Sequence, residues 1–163
     1  MHRPLLSLAS GVAPEASPLT LIEAAVEAGY DAVGLWLELD RFSPGYSQQV
    51  GRALADSGLQ VLDAEVFWIK PGPLDPAHLK MLDIACALGA RHALVVSSDP
   101  CEQSTAIKLA ALCAHVQGQP IRLVLEFGAF TEVKGLEQAA RIIRLAASDN
   151  LGLLLDALHW YRC

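Results

Sequence analysis

RLVLEF at residues 122–127 and LGLLLD at residues 151–156 are short apolar runs, and each carries an acid at or beside its C-terminal end. Strand residues alternate faces. Val124 and Glu126 therefore share one face of the first run, while Leu123, Leu125 and Phe127 share the other. In the second run Gly152, Leu154 and Asp156 share a face. An acid that ends an apolar run needs a partner if it is buried. Two such acids at matching ends of successive strands are more telling than either alone.

Further runs of strand length precede these: PLLSLAS near Leu5, AVGLWLE near Ala32, QVLDAEVF near Gln60 and HALVVSS near His92. The starts recur at about 29 residues, the size of one strand–helix unit. The segments between them have helical period. Leu136, Ala139, Ala140, Ile143 and Ala147 fall on one face, as do Ile107, Ala110, Ala111 and Ala114. Ser17-Pro18 and Asp75-Pro76 each place a capping side chain before a proline at the first helical position. Gly29, Gly58 and Gly89 each stand between a helix and a strand, as helix C-caps do.

The pattern predicts six strands and five helices in one domain over residues 1–163. Two α/β folds compete. An open doubly wound sheet is complete with five or six strands. A (β/α)8 TIM barrel needs eight, on the order of 230 residues at this spacing, so the chain would be a barrel truncated after about six βα units. Length alone favours the open sheet. Against its usual nucleotide-binding use, SLASGVAPEAS after the first strand has one glycine and no phosphate-loop motif.

The composition is 53% hydrophobic, which requires a large core, and the formal net charge is −6. Lys and Arg form no cluster, so a nucleic-acid surface is not expected. No apolar run approaches the roughly 20 residues that span a bilayer, and no membrane partner is expected. The first residues lack the core of a signal peptide. Cys86, Cys101, Cys113 and Cys163 show no metal-binding spacing, and Cys86 and Cys113 sit in helical patterns as free thiols. These features predict a cytoplasmic protein.

Carboxylates with a histidine at strand ends are the only constellation above background. Glu126 could cap a turn or pair with Arg122 or Arg91; with Asp156 it could instead hold a divalent metal through oxygen. His159 follows Asp156 by three residues, so a turn after the strand would bring both side chains to one pocket. Asp63 and Glu65 share a face of QVLDAEVF. Trp36 can line a pocket or pack in the core. Trp68 falls where a βα loop would begin. His78 and His115 lie on helices and His92 at the N-terminal end of a strand, away from chemistry. Ser97-Ser98 lacks the G-x-S-x-G elbow of a serine hydrolase.

LVLEF followed by LLLDALHWYR, together with EAGYDAVGLWLE, GLQVLDAEVFWI and LGARHALVV, resembles the xylose-isomerase-like TIM-barrel superfamily. More narrowly it is similar to the sugar phosphate isomerase/epimerase group. The most specific element is a Glu-ended strand followed one unit later by D-x-x-H. The resemblance implies a divalent metal (Mn, Mg, Co or Zn) at the C-terminal mouth of the barrel. Glu126 and Asp156 match its first two ligands, and Glu126 also the catalytic acid/base. His159 matches a histidine that contacts substrate. Glu132, in EFGAFTE, falls where the epimerases place a sugar-contacting glutamate, although Ala129-Phe130-Thr131 replace the Asn-Arg type residues before it. Trp36 is a further candidate for the sugar pocket.

The implied activity is proton transfer next to a carbonyl of a sugar or sugar phosphate. In the family a further His and Glu ligand come from the seventh and eighth strands, which this sequence does not contain. The 163-residue chain alone is therefore expected to be inactive and to bind metal weakly. Two alternatives stand beside it. One is a dehydratase on the same scaffold. The other is a non-catalytic interaction or assembly module, because a six-strand piece leaves two open edges and favours pairing, including homo-oligomers.

Overall fold

The computed structural model describes residues 3–163 of the chain. It contains six strands: β1 (Ser7–Leu8), β2 (Ala32–Trp36), β3 (Gln60–Ile69), β4 (His92–Ser97), β5 (Arg122–Glu126) and β6 (Leu151–Leu154). The helices are α1 (Pro18–Glu27), α2 (Pro44–Ser57), α3 (Ala77–Ala87), α4 (Glu102–His115), α5 (Leu136–Ala146) and the short α6 (Ala157–Arg162), with a 3-10 turn at Ser10–Val12. The helix after Asp156 adds a sixth to the expected five; six residues are too few to register as a periodic pattern.

All six strands pair in parallel, and their order in the sheet is their order in the chain. This overturns the length-based preference for an open doubly wound sheet, in which the strand order reverses at a switch point. A monotonic order with right-handed crossovers puts every helix on one side. It is the order of a (β/α)8 barrel, and the chain is such a barrel truncated after six units. One continuous core fills the space between strands and helices. Val33, Leu35, Phe67, Ile69, Leu123 and Leu125 meet Leu82, Leu109, Leu112 and Ile142, all at most 2% exposed. The opposite face of the sheet is the barrel interior.

Local chemistry explains most boundaries. Ser17 accepts a hydrogen bond from the Thr20 amide at 3.1 Å, and Pro18 opens α1. Asp75 accepts from the Ala77 amide at 2.9 Å, with Pro76 already in helical geometry. Gly29, Gly58 and Gly89 adopt φ of 75°, 71° and 73°, which glycine reaches without steric cost. The expected faces of α4 and α5 shift. In α4 the buried residues are Thr105, Ala106, Lys108, Leu109, Leu112 and Cys113, while Ile107 is 61% exposed. In α5 they are Ala139, Ile142 and Ala146, and Ala147 is a left-handed C-cap.

Candidate metal and substrate site

β5 delivers Glu126 through strict alternation. Leu123 and Leu125 are fully buried against the helices, which turns Val124 and Glu126 toward the barrel interior. Glu126 is 8% exposed and makes no hydrogen bond or ion pair. Neither Arg122 nor Arg91 reaches it: the Arg122 guanidinium donates to the Leu151 carbonyl at 2.8 Å, and Arg91 to Gln60 at 3.3 Å. The register Glu126↔Leu154 sets the end of β6 beside it, and Asp156 follows at the start of α6. Asp156 Oδ1 accepts from the His159 amide at 2.9 Å, an N-cap that holds both residues at one corner. One ligand atom each from Glu126, Asp156 and His159 lies within 4.8 Å of the other two.

These residues line a cavity of about 630 Å³ on the inner face of the sheet, which runs from the strand ends at Glu126 and Asp156 down to His92 at the start of β4, so His92 is on the wall after all. Asp63, Glu65, His92, Leu94 and Val124 supply other parts of its wall. Burial, then the charges of Asp156, Glu65 and Asp63, push the Glu126 carboxyl up to about 7. Burial, then Glu65, raises Asp63 to about 6. A groove of about 670 Å³ between α2 and α3 is slightly larger, but it lies on the helix side and its walls are mainly apolar, with Phe42, Gly51, Ile84 and Leu88. It stands apart from the strand ends, where folds of this class place their chemistry.

The loop after β5 runs beside the His159 corner. Thr131, 1% exposed, donates to the Gly128 and Val133 carbonyls and accepts from the Val133 amide. That turn folds Phe130 back over Gly128, where a Cβ would meet the ring at 2.5 Å. Phe130 then packs on His159, ring centroids 4.9 Å apart, and edge-on to Trp68 at 6.0 Å. Trp68 lies within β3 rather than in the loop after it, and its indole donates to Ser98 at 2.7 Å.

The other candidates disperse. Glu132 is not on the cavity wall; its half-exposed carboxylate stands 3.7 Å from the Lys134 ammonium. Trp36 ends β2, is 39% exposed and is likewise not on that wall. His115 pairs with Asp83 on the surface at 2.8 Å. Ser97 is buried and bonded to Thr105 at 2.8 Å, a structural contact. Cys113 is buried but Cys86 only partly so, and all four cysteines are free. Phe130 and Ser10 gave no signal in the sequence. A glycine-containing turn after an acid-ended strand marked the place of Phe130 without marking its direction.

The model of the xylose isomerase-like TIM barrel family matches residues 22–162. The chain belongs to that family. Among solved structures, the IolI protein with a bound zinc atom superposes with a TM-score of 0.80 at 19% identity, over 97% of this chain and 64% of that one. An L-ribulose 3-epimerase gives 0.75 at 20% identity, covering 96% and 62%. A xylose isomerase-like TIM barrel/4-hydroxyphenylpyruvate dioxygenase fusion protein gives 0.79 at 23% identity, covering 96% of this chain and 27% of that one. The chain thus spans less than two thirds of the length of these structures. No curated protein matches the sequence significantly.

The family implies a divalent metal, and the donor set fits one. Two carboxylates and an imidazole suit Zn, Mn, Mg or Co to different degrees. They converge without touching, and the most buried of them has no partner of its own. An ion between them would supply the missing counter-charge.

Proposed function

We propose that the chain is the larger part of a metal-dependent sugar or sugar phosphate isomerase or epimerase. The observation that carries this is the buried, unpartnered Glu126 carboxyl facing Asp156 and His159 at the strand ends. Glu126 and Asp156 would hold the metal, with His159 at the same corner within reach of either the ion or a substrate hydroxyl. A divalent ion bound there polarises the substrate oxygens. Glu126, the acid/base that the resemblance implies, would move a proton at the carbon next to the carbonyl. Asp156, fixed by its helix cap, keeps its free oxygen aimed at the same point. Phe130, packed on the His159 ring, would shield that side of the corner; Glu132 and Trp36 stand off the cavity wall and are given no substrate contact.

Calorimetric titration with Mn²⁺ tests the reading. Weak one-site binding is expected, abolished by Glu126→Ala and by Asp156→Ala. No binding, or binding indifferent to both changes, overturns it. A second reading, an assembly module, is favoured by the apolar surface at the β6 edge, where Leu155, Leu158, Trp160 and Tyr161 are all more than half exposed. The two are compatible if a partner completes the barrel. The compartment we infer is the cytoplasm; among the described residues no helix is long and apolar enough to cross a membrane.

A further inference from the structure

A separate cavity of about 420 Å³ opens where β3 runs into the loop before α3. β3 and β4 are inner strands of the sheet, each flanked on both sides. Trp68, Pro73 and Leu74 supply apolar wall, and Lys70, His78 and Lys108 the cationic and imidazole groups. His78, which the sequence places on a helix away from chemistry, is 7% exposed, and its Nδ1 is buried with no hydrogen-bond partner. Among the described residues the imidazoles that hydrogen-bond through the ring are those of His92 and His115. Buried polar groups are normally paired. Burial holds the His78 imidazole below its usual range; the Asp75 charge opposes that shift and the Lys70 charge adds to it, so both lie near the ring. Nδ1 is sealed from solvent, so Nε2 is the nitrogen a ligand can reach. Lys108 is the second buried group on this wall, 6% exposed. An ammonium has three N–H groups. Asp99 takes one at 2.6 Å and the Lys70 carbonyl another at 2.7 Å, which leaves one. The exposed Lys70 ammonium enters no ion pair among the described residues. The acid on the wall, Asp75, is engaged with α3, its Oδ1 accepting from the Ala77 amide at 2.9 Å. The polar groups with spare capacity are therefore donors, in a chain of net charge −6.

We propose that this cavity binds a small organic anion, with its phosphate or carboxylate head held by Lys70, Lys108 and the His78 Nε2–H and its apolar body lying along Trp68 and Leu74. An oxyanion brings only acceptors, and its bonds to ammonium groups are charge-assisted. The head alone fills a small part of the cavity, and the indole, the prolines and Leu74 suit an apolar remainder. No residue lines both this cavity and the one that holds Glu126, so the site is independent of the metal corner. The two are joined through Trp68, which packs edge-on against Phe130.

NMR of the imidazole nitrogens in the full, metal-free chain tests this, with phenyl phosphate, benzoate and inorganic phosphate as probes near neutral pH. Saturable movement of the His78 resonances is expected with phenyl phosphate or benzoate, and the tighter of the two identifies the head group. Inorganic phosphate, which has no apolar body, is expected to bind at least about threefold more weakly than phenyl phosphate. Affinities of variants are read by calorimetry. Lys70→Met, at an exposed position, should weaken the organic anion at least about fivefold. His78→Phe should weaken it without lowering the thermal midpoint, since the imidazole has no hydrogen bond to lose; if that variant does not fold, Lys70→Met still decides. Glu126→Ala should leave the affinity unchanged. No saturable movement at His78, an affinity unmoved by Lys70→Met, or binding lost with Glu126→Ala overturns the proposal, and inorganic phosphate binding as tightly as the organic anions overturns the apolar half of it.

Discussion

Glu126 keeps its proton to about pH 7 because burial and three neighbouring carboxylates disfavour its charge. Its carboxyl titrates higher in the folded than in the unfolded chain, so between pH 4.5 and about 7 the folded state binds more protons. Stability of the metal-free chain is therefore expected to fall as pH rises through that window. Asp63 adds a fall of the same sign between 3.8 and about 6. Thermal unfolding midpoints across this range check the slope, and Glu126→Gln should flatten its upper part. An ion displaces the same proton, so Mn²⁺ affinity should drop about tenfold per pH unit below 7 if one proton is exchanged. At this scale the sequence was informative about Glu126, Asp156 and His159, because an acid breaking an apolar run is visible in one dimension. Ser10 was not legible. It meets Glu65 across 55 residues, and nothing local to SGV announces the contact.

Among the elements, α4 shows how a periodic signal is misread. Its alanines carry little contrast, and Lys108 looks like a marker of the solvent face. Instead Lys108 is buried, with its ammonium 2.6 Å from Asp99 and 2.7 Å from the Lys70 carbonyl. Burial works against the Asp99 charge. Hydrogen bonds from Lys108, Ser104 and the Cys101 amide outweigh it and hold the carboxyl at about 2. Removing one partner leaves an uncompensated buried charge. Lys108→Ala is expected to destabilise the fold by about 3–5 kcal/mol, measured by urea unfolding. The double change Lys108→Met with Asp99→Asn should cost less than that single truncation. Helix starts were read more securely, because a cap is a short-range pattern. Ser17→Ala should cost about 1 kcal/mol in the same assay.

At the scale of the whole molecule, the decisive fact is strand order. The sequence carried the repeat, the unit length and the acid-bearing ends, all local quantities. Whether the sheet curls or stays open depends on pairings between residues some 30 apart, which length arguments pointed to wrongly. Among the described residues β6 pairs on one side only, and β1 contributes two residues to the other edge. Unpaired edges next to exposed apolar side chains favour association. Sedimentation velocity is expected to show concentration-dependent association, reduced by Leu158→Glu on the exposed side of α6. A strictly monomeric chain at high concentration would count against the assembly reading.

Asp156 belongs to two structures at once. One of its oxygens closes the first turn of α6, while the carboxylate as a whole faces Glu126. The order of the last turn is thereby tied to the electrostatics of the cavity. Asp156→Asn should keep the cap and lose the charge, whereas Asp156→Ala should lose both and let residues 157–162 fray. Amide hydrogen exchange at His159 would separate them. Slower exchange of that proton on adding Mn²⁺ is the expected outcome, and the final helix would then report whether the corner is occupied.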